Sequence, residues 1–100
     1  MEKRRPHYDL ASIKVAFAVI EALRITTTAL KTAEALDLTL EDIIALIQSM
    51  TREQFYKSMT SMADHRIWQD VYHVPLGDIV LYVKFTADPD GYLVISFKEK

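Results

Sequence analysis

Apolar positions along the chain change their period once, near the middle. In the first half Leu10, Ile13, Phe17 and Ile20 recur at helical spacing, with Asp9 standing before them as a candidate N-cap. The β-branched run Ile25-Thr26-Thr27-Thr28 predicts a break after Leu23, because such side chains lose rotamer freedom in a helix and threonine favours caps. Thr39 followed by Asp42 has the form of a capping box, and Leu40, Ile43, Ile44, Ile47 and Met50 then make an unbroken helical stripe. Thr51-Arg52-Glu53-Gln54 reads as a turn or a single helical turn.

Beyond Gln54 the period falls to two. Phe55 to Tyr72, FYKSMTSMADHRIWQDVY, holds two short runs rich in aromatic, β-branched and hydroxyl residues, separated by the polar break Ala63-Asp64-His65-Arg66. A hairpin here would bring Lys57 close to Gln69. Ile79, Leu81, Val83 and Phe85 alternate with Val80, Tyr82, Lys84 and Thr86, and Leu93, Ile95 and Phe97 alternate in the same way with Val94, Ser96 and Lys98. Asp88-Pro89-Asp90-Gly91 is a turn signal between them, and Pro75-Leu76-Gly77-Asp78 is another before Ile79. The expectation is an α+β domain spanning residues 1–100, with helices over about 9–50 covering one face of a four-stranded antiparallel meander over about 55–98.

Composition narrows the class. Half of the 100 residues are apolar and 26% are charged, which is ordinary for a globular domain. No apolar run approaches the ~20 residues that span a bilayer, and no apolar signal core follows Met1-Glu2-Lys3-Arg4-Arg5-Pro6, so a cytoplasmic protein is expected. The chain has no cysteine, hence neither a disulfide framework nor a thiol nucleophile. Three scattered histidines offer no zinc-ligand spacing, and no metal or cofactor is expected. The net charge of −2 runs against nucleic-acid binding. Its distribution moderates that, since Lys3, Arg4, Arg5, Lys57, Arg66, Lys84, Lys98 and Lys100 lie at the start and in the second half. Acidic residues gather instead around Glu34, Asp37, Glu41 and Asp42, either a solvated helix edge or a contact for a basic partner segment.

The alternation also assigns faces. If the Ile79 and Leu93 series pack beneath the helices, Tyr82, Lys84, Ser96 and Lys98 point the other way. An open sheet face with lysines and tyrosine is a candidate RNA platform, since phosphates need cations and unstacked bases need flat partners; a merely solvated sheet face carries the same residue types. Tyr56 belongs with the RNA-gripping residues of the first strand pair. His65, beside Asp64 at a hairpin tip, is either a turn residue or a further RNA contact, and His73 reads as incidental. Trp68, Asp70 and Tyr72 share one strand face, with core packing the default for the tryptophan.

Several ordered blocks resemble a known family. FYKSMT, then DH-IWQDVY, then Val94-Ile95-Ser96-Phe97-Lys98-Glu99-Lys100, with Met1-Glu2-Lys3-Arg4 and Pro6-His7 at the start, are similar to the MqsR toxins. The similarity is weakest over residues 15–21 and 74–91. It implies a RelE-like fold, a short extended Leu23-Arg24-Ile25, and a second helix from about Thr27 to Leu36. It also implies an mRNA-cleaving toxin that acts at GC-containing sites, preferentially GCU, and halts translation. Its partner would be a zinc-containing, DNA-binding MqsA-like antitoxin, in a 2:2 complex through antitoxin dimerisation. The family's cleavage residues fall here on Lys57, Gln69, Tyr82 and Lys98. Chemically, attack of the RNA 2′-hydroxyl on the adjacent phosphate, giving a 2′,3′-cyclic phosphate and a 5′-hydroxyl, needs a proton acceptor, a donor and positive charge. Lys57 and Lys98, if close, would lower each other's pKa so that one could accept the proton. The alternative from another class is a non-catalytic RNA-binding or protein-interaction module on the same fold.

Overall fold

Residues 1–100 are described by a computed structural model. Strand β1 (Glu2–Lys3) is followed by α1 (Leu10–Ala16), a 3-10 turn (Ile20–Ala22), α2 (Thr27–Ala35), α3 (Leu40–Ser49) and a second 3-10 turn (Arg52–Gln54). The chain then runs as β2 (Phe55–Thr60), β3 (Trp68–Leu76), β4 (Ile79–Asp88) and β5 (Gly91–Glu99). The strands form one antiparallel sheet in the order β1-β2-β3-β4-β5.

Local signals set most boundaries. α3 begins at the predicted capping box: Thr39 Oγ1 accepts the Asp42 N–H, and the Asp42 carboxylate accepts the Thr39 N–H. α2 is capped by Thr26, whose hydroxyl oxygen accepts the Ala29 N–H. Asp9 holds the N-cap position of α1, but its carboxylate takes the Ser12 hydroxyl and caps no backbone N–H. Pro75 and Leu76, expected in a turn, belong to β3; the turn is only Gly77-Asp78, with Leu76 opposite Ile79 and Gly77 at φ 57°.

The helices cover one sheet face. Ile13 of α1 and Phe17 at its C-cap, Ala29 and Ala33 of α2, and Ile43, Ile47 and Met50 at α3 meet Tyr72, Val74, Leu81, Val83, Phe85, Val94 and Phe97 in a single buried cluster. Two expectations need correction, and a second bulge accompanies them. The basic N-terminus is a fifth strand, pairing Glu2 with Met59 and Lys3 with Ser58. Leu93 and Ile95 do not share the core face; Val94 does, because Phe85 pairs with Val94 and Lys84 with Ser96, leaving Ile95 as an extra residue in a β-bulge. Tyr56 is a second such insertion, between Phe55 opposite Tyr72 and Lys57 opposite Val71. Alternation by twos has no means of registering an inserted residue.

Both sheet edges are partly closed. β1 lies along β2, while Ile25 forms a parallel bridge with Val94 and the Thr32 hydroxyl donates to the Phe97 carbonyl at 2.7 Å. Leu23-Arg24-Ile25 is therefore the extended connector expected. Arg24 is anchored by two hydrogen bonds to the Asp88 carboxylate.

The buried Tyr72 hydroxyl has no hydrogen-bond partner, and burial, reinforced by Asp70, pushes its pKa up to about 12. Tyr72→Phe should therefore raise unfolding stability, by about 1 kcal/mol, since it removes an unsatisfied buried group without opening a cavity. The sign with pH follows from linkage. The native state holds the phenolic proton to about 12 and the unfolded chain releases it near 10.0, so the wild type should lose stability as pH rises between them. Urea titrations of both proteins at neutral and alkaline pH check this; equal alkaline losses in both would remove Tyr72 as the cause.

Candidate active site

The face away from the helices is built by rows of register neighbours. Lys57, Val71, Lys84 and Ser96 form one row across β2 to β5; His73, Tyr82 and Lys98 form the next; Gln69, opposite Met59, lies on the other side of the first. Val71 is fully buried although it belongs to this face and not to the core cluster, a burial accounted for by the aliphatic stems of Lys57 and Lys84 beside it. The predicted Lys57, Gln69, Tyr82 and Lys98 thus share one surface, with Lys84, Ser96 and Tyr56.

Tyr82 is its centre. The Lys98 and Lys84 ammonium nitrogens lie 5.5 and 5.6 Å from the centroid of its ring. Burial raises the Tyr82 pKa, partly offset by Lys57, so the phenol keeps its proton at neutral pH. Tyr56, exposed at its bulge, stacks on His73 with ring centroids 4.2 Å apart, and the His73 ring lies 6.1 Å from that of Tyr82. His73 is therefore no bystander. Its place on this face could have been found from its even spacing with Gln69 along β3. Burial, then Lys100, lowers its pKa and favours the neutral imidazole.

The lysines divide differently from the expected mutual lowering of Lys57 and Lys98. Lys57 Nζ is 2.6 Å from Glu2 Oε1, and that hydrogen bond raises the Lys57 pKa. Lys84 is the lysine shifted down, by burial first and then by the charges of Lys98 and Lys57. Glu2 was missed because nothing in the sequence pairs a two-residue strand with β2.

His65 stands off the platform, exposed in the β2–β3 loop, where the Asp64 carboxylate organises the turn by accepting the Arg66 N–H and pairing with its guanidinium. Trp68 is half-buried on the other sheet face, stacked on His7 at 5.3 Å and covered by the Lys3 ammonium at 4.2 Å. In the acidic helix edge Asp42 is occupied by its cap, whereas Glu34 and Glu41 are exposed. A groove of about 740 Å³ on the helix side, lined by Arg5, Lys14 and Arg52 among others, contains none of the platform residues. No group of three or more His, Asp or Glu side chains is placed to hold a metal ion. No helix is long and apolar enough to cross a membrane.

Helices on one face of an antiparallel sheet, with lysines gathered around a tyrosine on the other, are consistent with the RelE-like class of toxins. Residues 5–99 match the family model described as motility quorum-sensing regulator, toxin of MqsA. The mRNA interferase toxin MqsR of Escherichia coli (strain K12) is 41% identical over 100 residues, covering the whole of both chains. The chain belongs to the MqsR toxin family.

Proposed function

We propose that this protein is an endoribonuclease toxin that cleaves mRNA without a metal ion, at GC-containing sites and preferentially GCU, and is neutralised by an MqsA-like antitoxin. The observation that carries the reading is the convergence of Lys84 and Lys98 on Tyr82, with Lys57 over the neighbouring Tyr56 ring, across an open sheet face. A flat cationic surface with exposed aromatic rings admits a single-stranded polymer and offers its phosphates charge and its bases stacking partners. The name of the E. coli relative supports mRNA as the substrate.

The 2′-hydroxyl oxygen attacks the adjacent phosphorus, the P–O5′ bond breaks, and the products are a 2′,3′-cyclic phosphate and a 5′-hydroxyl. Lys98 and Lys84 stabilise the charge that develops on the phosphorane oxygens. Tyr82 donates its phenolic proton as a hydrogen bond to the same oxygens, a role that its raised pKa preserves. Gln69 orients the ribose or a base, and Ser96, register partner of Lys84, contacts the backbone. The antitoxin, a zinc-containing DNA-binding protein forming a 2:2 complex, docks by adding to a sheet edge, with the acidic helix edge around Glu34, Asp37, Glu41 and Asp42 a secondary surface that steers its association. The Glu2–Lys57 ion pair favours a second reading, an RNA-binding module without cleavage, because it neutralises one site cation.

Induced expression in bacteria separates the two readings: growth arrest that requires Tyr82 and Lys98 supports the enzyme. Cleavage of a GCU-containing RNA by purified protein should persist in EDTA and leave cyclic or 3′-phosphate ends. Turnover that stops on chelation, or 3′-hydroxyl ends, would sink the metal-free mechanism.

A further inference from the structure

The reaction proposed above needs a group that takes the proton of the 2′-hydroxyl. Lysines dominate the face, and Lys57 is held in its charged form by its partner. That partner, Glu2, is the carboxylate of the platform. One oxygen binds Lys57, and its side chain remains 55% exposed. Its position is built rather than incidental. The Thr60 N–H donates to the Met1 carbonyl at 2.9 Å, Glu2 and Lys3 pair with Met59 and Ser58, and the His7 and Tyr8 N–H groups both donate to the buried Asp70 carboxylate. The arm is thus fastened to the sheet on either side of Glu2.

Resting on the endoribonuclease reading, we propose that Glu2 is the catalytic proton acceptor, taking the 2′-hydroxyl proton on its carboxylate as the 2′-oxygen bonds to phosphorus. The new O2′–P bond forms as the P–O5′ bond breaks, and the departing 5′-oxygen takes a proton from the ammonium of Lys98. Glu2 returns its proton to solvent and Lys98 regains one, so the protein is unchanged over a turnover. Lys57 keeps the carboxylate ionised and aimed. The charged groups facing Glu2 are Lys57 from β2, and Arg4 and the Met1 amino group on its own arm; all favour ionisation, with the Lys57 hydrogen bond the largest influence. The acceptor is therefore ready at neutral pH and is lost only on the acid side of the ordinary carboxylate range.

The test is single-turnover cleavage of a labelled GCU-containing RNA across pH by wild type, Glu2→Gln, Glu2→Asp and Lys98→Ala, with RNA affinity and thermal unfolding measured in parallel. Glu2→Gln should cleave about 10²- to 10³-fold more slowly, with RNA affinity unchanged or tighter and unfolding unchanged. The fall in wild-type rate at acid pH should be absent from its residual activity. Glu2→Asp, with a shorter reach, should recover part of the rate and restore the acid limb. Glu2→Gln cleaving as fast as wild type or faster overturns the proposal, making the carboxylate a neutral contact or a plug over Lys57. A slow Glu2→Gln that keeps the acid limb also overturns it, since Glu2 would then act only by holding Lys57. In either case cleavage lost in Lys98→Ala leaves the endoribonuclease reading standing. A wild type that cuts no RNA overturns both.

Discussion

Lys98→Ala and Lys57→Ala should each reduce RNA cleavage at least about a hundredfold, the loss seen when one preorganised charge is withdrawn from a developing oxyanion. Neither should unfold the protein. Lys98 is exposed, and the Lys57–Glu2 pair is a surface ion pair of the kind that contributes little to stability. The two variants differ in how they fail. Lys98 lies against Tyr82, so its loss removes the proposed phosphate charge and proton donor; Lys57 holds Glu2, so its loss also releases the carboxylate. Cleavage of a labelled RNA, read beside circular dichroism and thermal unfolding, checks both. Normal cleavage by either variant would take that lysine out of the site, and a large fall in melting temperature would reassign it to the fold.

Asp70→Ala should produce a large loss of stability, about 3–5 kcal/mol. This carboxylate is fully buried and accepts the Ser58 hydroxyl at 2.6 Å and the N–H groups of His7 and Tyr8 at 2.9 and 2.8 Å. Alanine would leave those donors without an acceptor and open a void beside Tyr72. Asparagine keeps one oxygen and should fall between alanine and wild type. Because the same hydrogen bonds fasten the N-terminal arm, folded Asp70→Asn protein should also cleave RNA more slowly. Urea unfolding measures the first effect and cleavage well below the midpoint the second. A loss below about 1 kcal/mol for alanine would mean that water replaces the carboxylate.

The sequence made the helical half readable wherever the deciding forces are local. The Thr39–Asp42 box acts within a few residues, and the structure follows it; the first helix, expected to carry its stripe through Ile20 and break after Leu23, instead ends at Ala16, with Ile20–Ala22 in a separate 3-10 turn. The four longer strands were readable for the same reason, and the turn before Ile79 to within two residues. The open face assigned to Tyr82, Lys84, Ser96 and Lys98 was correct, whereas the assignment of Leu93 and Ile95 to the core was not, because the bulge depends on how β5 meets β4. What stayed hidden is what requires distant segments to meet: Glu2 reaching Lys57, Asp70 receiving His7 and Tyr8, and His73 lodged between Tyr56 and Tyr82. The raised pKa of Lys57 follows from that first meeting.

The bulges at Tyr56 and Ile95 make strand length a chemical variable. Each shifts the pleat by half a repeat between a core residue and a platform lysine: Phe55 and Lys57 lie on opposite faces though two apart in sequence, and Val94 faces the helices while Ser96 does not. Strict alternation from Phe55 would aim Lys57 into the core and Ser58 outward, and from Val94 it would bury Lys98 and expose Phe97. The chain is therefore more forgiving of which residue occupies positions 56 and 95 than of whether one is there at all. In this fold, drift by deletion at those points inverts a strand, while drift by substitution leaves the lysines on the open face of the sheet.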